Sequence, residues 1–285
     1  MTERDLTGQT SLSALLRGAV AMAPPGVEAL DAECLLAFVL GRNRAGLYAR
    51  LSDPVAEHHA RAFALLWQRR CSGEPYAYLV GEREFYGRRF QVDHSVLIPR
   101  AGTETLLEAA LARWPVTRAG VVLDAGTGSG ALAVSFALQR PDSTVYAVDY
   151  SASALRVASK NARDLCAAVH FWRGDWLHAV ARHSVDMIIS NPPYLGADDS
   201  HLPGLIQSGE PRTALVAADD GLADLAGLAA AGLRVLSGGA WLLMEHGWMQ
   251  GAAVRGMLAN MGYTQIVTEL DFDQHERVTG GRKGA

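Results

Sequence analysis

Asn191, Pro192, Pro193 and Tyr194 stand together at the end of an apolar run, residues 185–190. Two successive prolines fix φ and remove two backbone donors, so one reading is simply a stiff turn. The stiffness also has a chemical use. The Pro192 carbonyl is left without a demanded partner, and the Asn191 side chain carries a second carbonyl. Together they can accept both hydrogens of an –NH2 group. An amide or aromatic amine is a poor nucleophile because resonance spreads its lone pair into the neighbouring π system. Two acceptors pulling on its hydrogens favour a pyramidal nitrogen whose lone pair can meet a sulfonium methyl. Tyr194 can pack on the planar acceptor. Such catalysis rests on orientation and electrostatics and requires no strong side-chain base.

A second constellation lies upstream, in the stretch D-A-G-T-G-S-G at residues 124–130. Gly126, Gly128 and Gly130 permit a tight turn and a close backbone approach by a ligand, and they equally fit a purely structural turn. The glycines alternate, unlike the G-x-G-x-x-G dinucleotide fingerprint, and Ala131 stands where a phosphate-binding lysine would follow. Asp149 ends the next apolar run, where a carboxylate can accept from a ribose diol or serve as an ordinary helix N-terminal acid. Trp176 follows the run after that, as a stacking face for an adenine or as a core residue. These groups fall at the carboxyl ends of successive strands, where open α/β sheets bind ligands.

The elements that must position them are legible from periodicity. Helical stripes run through Val27, Leu30, Leu35, Phe38 and Val39, and through Val55, Phe63, Leu66 and Trp67, and both are expected to pack. Residues 82–99 read as a β-hairpin turning at Gly87, and residues 103–114 as a helix with Thr103 at its N-cap. From Val121 onward seven strands alternate with helices, which implies a mostly parallel sheet covered on both faces. The expected organisation is a helical N-terminal domain (1–75), a β-hairpin linker (76–100) and an α/β domain (101–285).

Bulk properties narrow the class. The 285 residues carry a formal net charge of −4, with 49% hydrophobic and 20% charged residues, as in ordinary globular proteins. Arginines are scattered, and Lys160 and Lys283 are the only lysines. No long basic stripe marks a nucleic-acid surface, so no stable nucleic-acid partner is expected. Cys34, Cys71 and Cys166 lack metal-ligand spacing, the histidines form no ligand motif, and no metal is expected. Arg17 interrupts any signal-peptide core, and no apolar run approaches the roughly 18 residues of a membrane span. The expectation is a cytoplasmic protein without a membrane partner, acting as a monomer.

The two motifs together resemble the amino-methyltransferases that act on adenine N6, cytosine N4 or glutamine N5. Three further stretches, G-E-P-Y-A-Y-L-V-G-E-R-E-F-Y-G (73–87), L-I-P-R-A-G-T-E-T-L-L-E (97–108) and E-P-R-T-A-L with D-D-G-L (210–222), resemble the PrmC/HemK family. Residues 31–41 and 271–283 extend that likeness over nearly the whole chain. The resemblance implies a Rossmann-like methyltransferase fold using S-adenosylmethionine, with a seven-stranded mostly parallel sheet, a small helical N-terminal domain for substrate recognition and a linking hairpin. It implies cofactor contacts at Gly126, Thr127, Gly128, Ser129, Gly130, Asp149, Trp176 and Asn191. It implies substrate contacts at Asn191, Pro192, Pro193 and Tyr194, with Asn191, Pro192 and Tyr194 catalytic. Members of that family methylate the glutamine of the Gly-Gly-Gln loop in class I peptide chain release factors, which would be the partner. Related enzymes act on a ribosomal-protein glutamine or on exocyclic amines of RNA or DNA, and a catalytically silent cofactor-binding protein is a further alternative. The stretch T-E-T-L-L-E favours the release-factor enzyme. Ala101-Gly102 replaces the usual Pro-Asp, and Ala125 a usual leucine. Residues 195–221 would form a long loop bordering the acceptor site.

Overall fold

The computed structural model describes residues 11–116 and 118–285. The first ten residues of the expected helical domain lie outside the described residues. The chain divides into two compact units, Met1–Gly81 and Glu82–Ala285.

The first unit is helical: α1 (Leu12–Ala21), α2 (Ala29–Val39), α3 (Arg44–Tyr48), α4 (Glu57–Cys71) and α5 (Tyr76–Val80). Local chemistry sets the boundaries. The Ser11 side chain caps α1, Asn43 caps α3 by accepting from Gly46 N at 2.8 Å, and Glu28 and Asp31 form a capping box on α2. The buried face of α2 is Ala32, Leu35 and Leu36, whereas Leu30 and Phe38 are 46% and 45% exposed. The expected packing of those two is thus corrected. α2 contacts α1, α3 and α4, so burial selects the stripe facing those neighbours, and Leu30 and Phe38 lie outside it. Residues 76–80, expected within a hairpin linker, form α5, which ends at Gly81 in the left-handed conformation (φ 77°).

The second unit opens with the hairpin β1 (Glu82–Phe85) and β2 (Arg88–Gln91), joined through Tyr86-Gly87, both at positive φ. α6 (Ala101–Arg113) follows, and then the alternating elements β3 (Val121–Ala125), α7 (Ala131–Gln139), β4 (Thr144–Asp149), α8 (Ala152–Asp164), β5 (Val169–Arg173) and β6 (Val185–Ser190). Residues 195–221 contain α9 (Leu202–Gln207), a 3-10 turn at Arg212–Ala214 and the one-turn segment α10 (Ala218–Gly221). The chain ends with α11 (Ala223–Val235), β7 (Leu236–Glu245), α12 (Gly251–Asn260), β8 (Thr264–Leu270) and β9 (Glu276–Arg282).

The sheet order is β5-β4-β3-β6-β7-β9-β8, parallel except that β9 runs antiparallel to both neighbours. Its strands alternate between two buried faces. Val122, Met187, Ile189 and Leu243 pack with Leu106, Trp114 and Phe136 on one side. Leu123, Ile188, Leu242 and Met244 pack with Leu225, Leu228 and Leu258 on the other. The strand order reverses between β3 and β6, which opens a crevice at their carboxyl ends. Both motifs sit there.

Candidate functional site

The glycine loop folds across the end of β4. Gly126 N and Thr127 N donate to the Val148 carbonyl at 2.9 and 3.0 Å, and Gly128 N donates to Asp149 Oδ2 at 2.9 Å. Asp149 Oδ1 accepts from Ser151 N at 2.8 Å, so this carboxylate braces the loop and the start of α8 together. Gly126, Gly128 and Gly130 have φ of 77°, 55° and 81°, a region side chains resist. A Cβ on Gly126 would lie 3.1 Å from the Trp176 ring, and one on Gly130 3.1 Å from Ala158 Cα. Gly126 therefore makes room for Trp176, and Gly130 for the close approach of α8.

Beneath the loop lies Asp124, fully buried on β3. Its Oδ2 accepts from Thr127 Oγ1 at 2.6 Å and from Ala133 N at 3.2 Å, while Oδ1 has no partner. Burial pushes its pKa up to about 7, against the lowering effect of those two hydrogen bonds.

The tetrapeptide leaves β6 beside this loop. Ser190 Oγ donates to the Ala125 carbonyl at 2.6 Å and ties the ends of β6 and β3. Asn191 Nδ2 then donates to Thr103 Oγ1 at 3.1 Å, and Asn191 Oδ1 is buried with no partner. Thr103 is not the N-cap of α6. The extended Arg100 takes that position, which places Thr103 within the first turn, its side chain directed at Asn191. Arg100 itself is held by an ion pair with the buried Glu210. At the other end of the tetrapeptide the Tyr194 hydroxyl donates to Glu245 Oε1 at 3.1 Å, and the Tyr194 carbonyl accepts from Gln250 Nε2 at 3.0 Å. Glu245 is fully buried. Desolvation raises its pKa, opposed by the Thr103 and Tyr194 hydroxyls and by Arg277 and Arg100. Burial and the adjacent Glu245 carboxylate likewise raise the Tyr194 phenol.

These groups border a cavity of about 310 Å³, of the size small-ligand sites have. Of the residues singled out in the sequence, Gly126, Thr127, Gly128, Ser129, Asp149, Trp176, Asn191 and Pro193 line it. Gly130, Pro192 and Tyr194 do not. Gly130 packs on α8, Pro192 is buried, and Tyr194 packs against the core with its hydroxyl on Glu245. Thr127 turns its own side chain inward to Asp124 and offers the cavity its backbone. Trp176 both lines the cavity and packs on the core, at a positive φ of 45°.

Sequence reasoning missed Thr103, Asp124 and Glu245. The signal was present for Glu245 and Asp124, since each is an acid closing an apolar strand run at the carboxyl edge of a sheet. Thr103 had no such signal, because only the fold brings it to Asn191. Asp271, Asp273 and His275 also offer ligand atoms within 4.8 Å of one another. There Asp271 already accepts from two turn amides and pairs with Arg277 at 3.0 Å.

The sequence itself aligns with known proteins in both units. Residues 14–81 match the PrmC N-terminal domain and residues 99–203 the methyltransferase small domain. The chain is 47% identical over 263 residues to the release factor glutamine methyltransferase of Bordetella pertussis, covering 91% of this chain and 97% of that one. The chain belongs to the release factor glutamine methyltransferase family. The protein of that name from Salmonella typhimurium is 44% identical over 253 residues, covering 88% and 91%. A methyltransferase from Pyrococcus furiosus, 16% identical, shares the fold with a TM-score of 0.53 over 76% of this chain and 98% of its own. No helix among the described residues is long and apolar enough to cross a membrane.

Proposed function

We propose that this chain transfers a methyl group from S-adenosylmethionine to the side-chain amide nitrogen of the glutamine in the Gly-Gly-Gln loop of class I peptide chain release factors. The observation that carries the reading is the buried, unpartnered Asn191 Oδ1 at the edge of the cavity. A buried acceptor left without a donor costs on the order of 1–3 kcal/mol, so such a group is normally satisfied by what binds there. A primary amide supplies that donor. The names borne by the relatives from Bordetella pertussis and Salmonella typhimurium support the same substrate.

The cavity fits the cofactor. Gly126–Ser129 provide a backbone cradle with the Thr127 side chain turned away to Asp124, Asp149 can accept from a ribose diol, and Trp176 offers an aromatic wall. When bound, S-adenosylmethionine supplies an electrophilic methyl on a sulfonium. On the protein's side, Asn191 Oδ1 and the Pro192 carbonyl accept the two amide hydrogens and fix the plane of the acceptor. Pro193 walls the approach, and Tyr194 anchors the turn through Glu245. Transfer would form the nitrogen–methyl bond as the methyl–sulfur bond breaks, its electron pair staying on sulfur as a neutral thioether, and one hydrogen of the –NH2 group would leave to solvent as a proton. Orientation supplies most of the rate, and the transfer requires no strong side-chain base. We further assign substrate recognition to the helical unit and place the reaction, by a monomer without nucleic acid, in the cytoplasm.

The test is incubation of the purified protein with labelled S-adenosylmethionine and either a recombinant class I release factor or ribosomal RNA. Mass spectrometry of the Gly-Gly-Gln peptide should show one added methyl on glutamine. Label confined to the RNA would sink the reading.

A further inference from the structure

The cavity occupies one side of the tetrapeptide, and a patch of exposed apolar side chains occupies the other. Along the carboxyl edge of the sheet the strands follow the order β5-β4-β3-β6-β7-β9-β8. Trp176, Asp149 and Gly126–Ser129 stand at the ends of β5, β4 and β3, and Asn191–Tyr194 at the end of β6. Past the tetrapeptide, the turn after β7 carries Trp248 and Met249, and the β8–β9 turn carries Phe272. Because β9 runs antiparallel to β7, with Val278 opposite Glu245, that second turn opens at the same edge. The three side chains are 54%, 75% and 74% exposed. The Trp248 ring lies 5.4 Å from that of His275, which shares the Phe272 turn, so the two turns present one patch.

Both turns are held in place. Gln250 Oε1 accepts from Gly247 N at 2.9 Å, while its Nε2 donates to the Tyr194 and Asp220 carbonyls, which ties the Trp248 turn to the acceptor site. In the other turn Asp271 Oδ1 accepts from Asp273 N and His275 N, both at 3.0 Å. Apolar groups on such fixed turns need little ordering when a partner covers them.

Charge decides what can cover the patch. Residues 195–221, folded back on the tetrapeptide, carry Asp198, Asp199, Glu210, Asp219 and Asp220 against a single arginine, Arg212. Asp198, Asp219 and Asp220 are exposed, as is Asp273 beside Phe272. The arginines of this edge, Arg255 and Arg277, are paired with Glu276 and Asp271 at 2.8 and 3.0 Å. A phosphate backbone would be repelled here. A second copy docking by the same face would set these carboxylates against their own images. A basic polypeptide would be attracted. It would also arrive in the right place. With the cofactor over β3–β5, the chain bearing the acceptor nitrogen runs out over β7–β8. Strands lie about 4.8 Å apart, so the Phe272 turn is roughly 10–15 Å from the tetrapeptide, the span of about three to five extended residues.

We propose that Trp248, Met249 and Phe272, rimmed by Asp198, Asp219, Asp220 and Asp273, are the docking surface for the basic chain segment flanking the methylated glutamine in the substrate protein. The inference rests on the functional reading above and adds to it where the substrate is gripped beyond the reacting amide. The aromatic side chains supply affinity, as buried tryptophans do at protein interfaces, and the carboxylates speed encounter.

The experiment measures kcat and KM with labelled S-adenosylmethionine and a recombinant class I release factor at several salt concentrations. The parent chain is compared with Trp248→Ala, Phe272→Ala and the triple variant Asp219→Asn/Asp220→Asn/Asp273→Asn, asparagine being at ease with the left-handed φ of positions 219 and 220. Calorimetric cofactor binding and thermal unfolding are followed alongside. Each alanine variant is expected to raise KM for the release factor about 10- to 50-fold, with kcat and the cofactor dissociation constant within about threefold. The asparagine variant raises KM about 3- to 10-fold at low salt and flattens its salt dependence. If Trp248→Ala does not fold, Phe272→Ala on its separate turn decides with the asparagine variant. Parental KM in both alanine variants overturns the docking surface while leaving the functional reading standing. So does a sedimenting dimer of the parent that Trp248→Ala abolishes, or methylated ribosomal RNA whose KM rises in that variant in place of the release factor's. A parent chain that labels no glutamine overturns both.

Discussion

Gly221 lies against the Tyr194 carbonyl so closely that a Cβ on it would sit 2.0 Å from that oxygen. Its φ is +86°, and it follows Asp219 and Asp220, themselves at 52° and 51°. Three consecutive left-handed residues are what bring residues 195–221 back onto the tetrapeptide. Gln250 Nε2 closes the junction by donating to both the Tyr194 and Asp220 carbonyls, at 3.0 and 3.1 Å. Leu195 pairs with residues 215 and 217 at the base. The long segment bordering the site is therefore clamped at both its ends.

Gly221→Ala should break that clamp. The strained φ costs about 1–3 kcal/mol, and the backbone overlap must be relieved by moving Tyr194. Thermal unfolding should drop by several degrees, about 2–4 °C per kcal/mol for a chain of this size. The kcat for release factor should fall at least about tenfold, a small displacement at the site being enough. An unchanged kcat would show that the Tyr194 carbonyl can shift freely.

Asn191→Ala removes the side-chain acceptor while leaving the proline turn. A loss of about 100- to 1000-fold in kcat is expected, with the cofactor dissociation constant changed far less. Steady-state transfer of label to the release factor, paired with calorimetry, separates the two. Methyl transfer at the parental rate would refute the proposed role.

Asp149→Ala removes both acceptors that Gly128 N and Ser151 N use. Two amides then lose their partners, and the glycine loop loosens. Cofactor affinity is expected to fall about 10- to 100-fold, roughly 1.4–2.7 kcal/mol. Calorimetric titration of S-adenosylmethionine checks this directly.

Asp124 links stability to pH. Its folded pKa, about 7, lies well above the 3.8 of an ordinary aspartate. The group's contribution is thus fully present below about pH 4 and is lost as pH rises toward and through 7, because ionisation is costlier in the fold than in the unfolded chain. Asp124→Asn keeps an acceptor for Thr127 and Ala133 and cannot ionise. Urea unfolding between pH 5 and 8 should show the variant gaining on the parent as pH rises, by on the order of 2–3 kcal/mol at the upper end. A pH-independent difference between the two would mean that Asp124 does not titrate in this range.

How much of this was legible in sequence differs by the range over which each property is decided. Apolar alternation from Val121 onward, broken by glycines and helical stripes, marked seven strands and their order along the chain, because periods of 2 and 3.6 are local. The motif residues were legible for the same reason: glycine alternation, two prolines and a strand-ending acid are short-range patterns. Where residues act across the fold, the sequence was silent or misleading. Thr103 reads as a cap and instead holds Asn191, 88 positions away. Leu30 and Phe38 read as core and are exposed, because the neighbours of α2 and not its hydrophobicity choose the buried face. The partner of the Tyr194 hydroxyl, Glu245, lies 51 positions away, and no local pattern pairs the two. Strand order and helix packing bring these partners together, and only in the folded chain do burial and hydrogen-bond direction decide which atom of Asn191 is left to act.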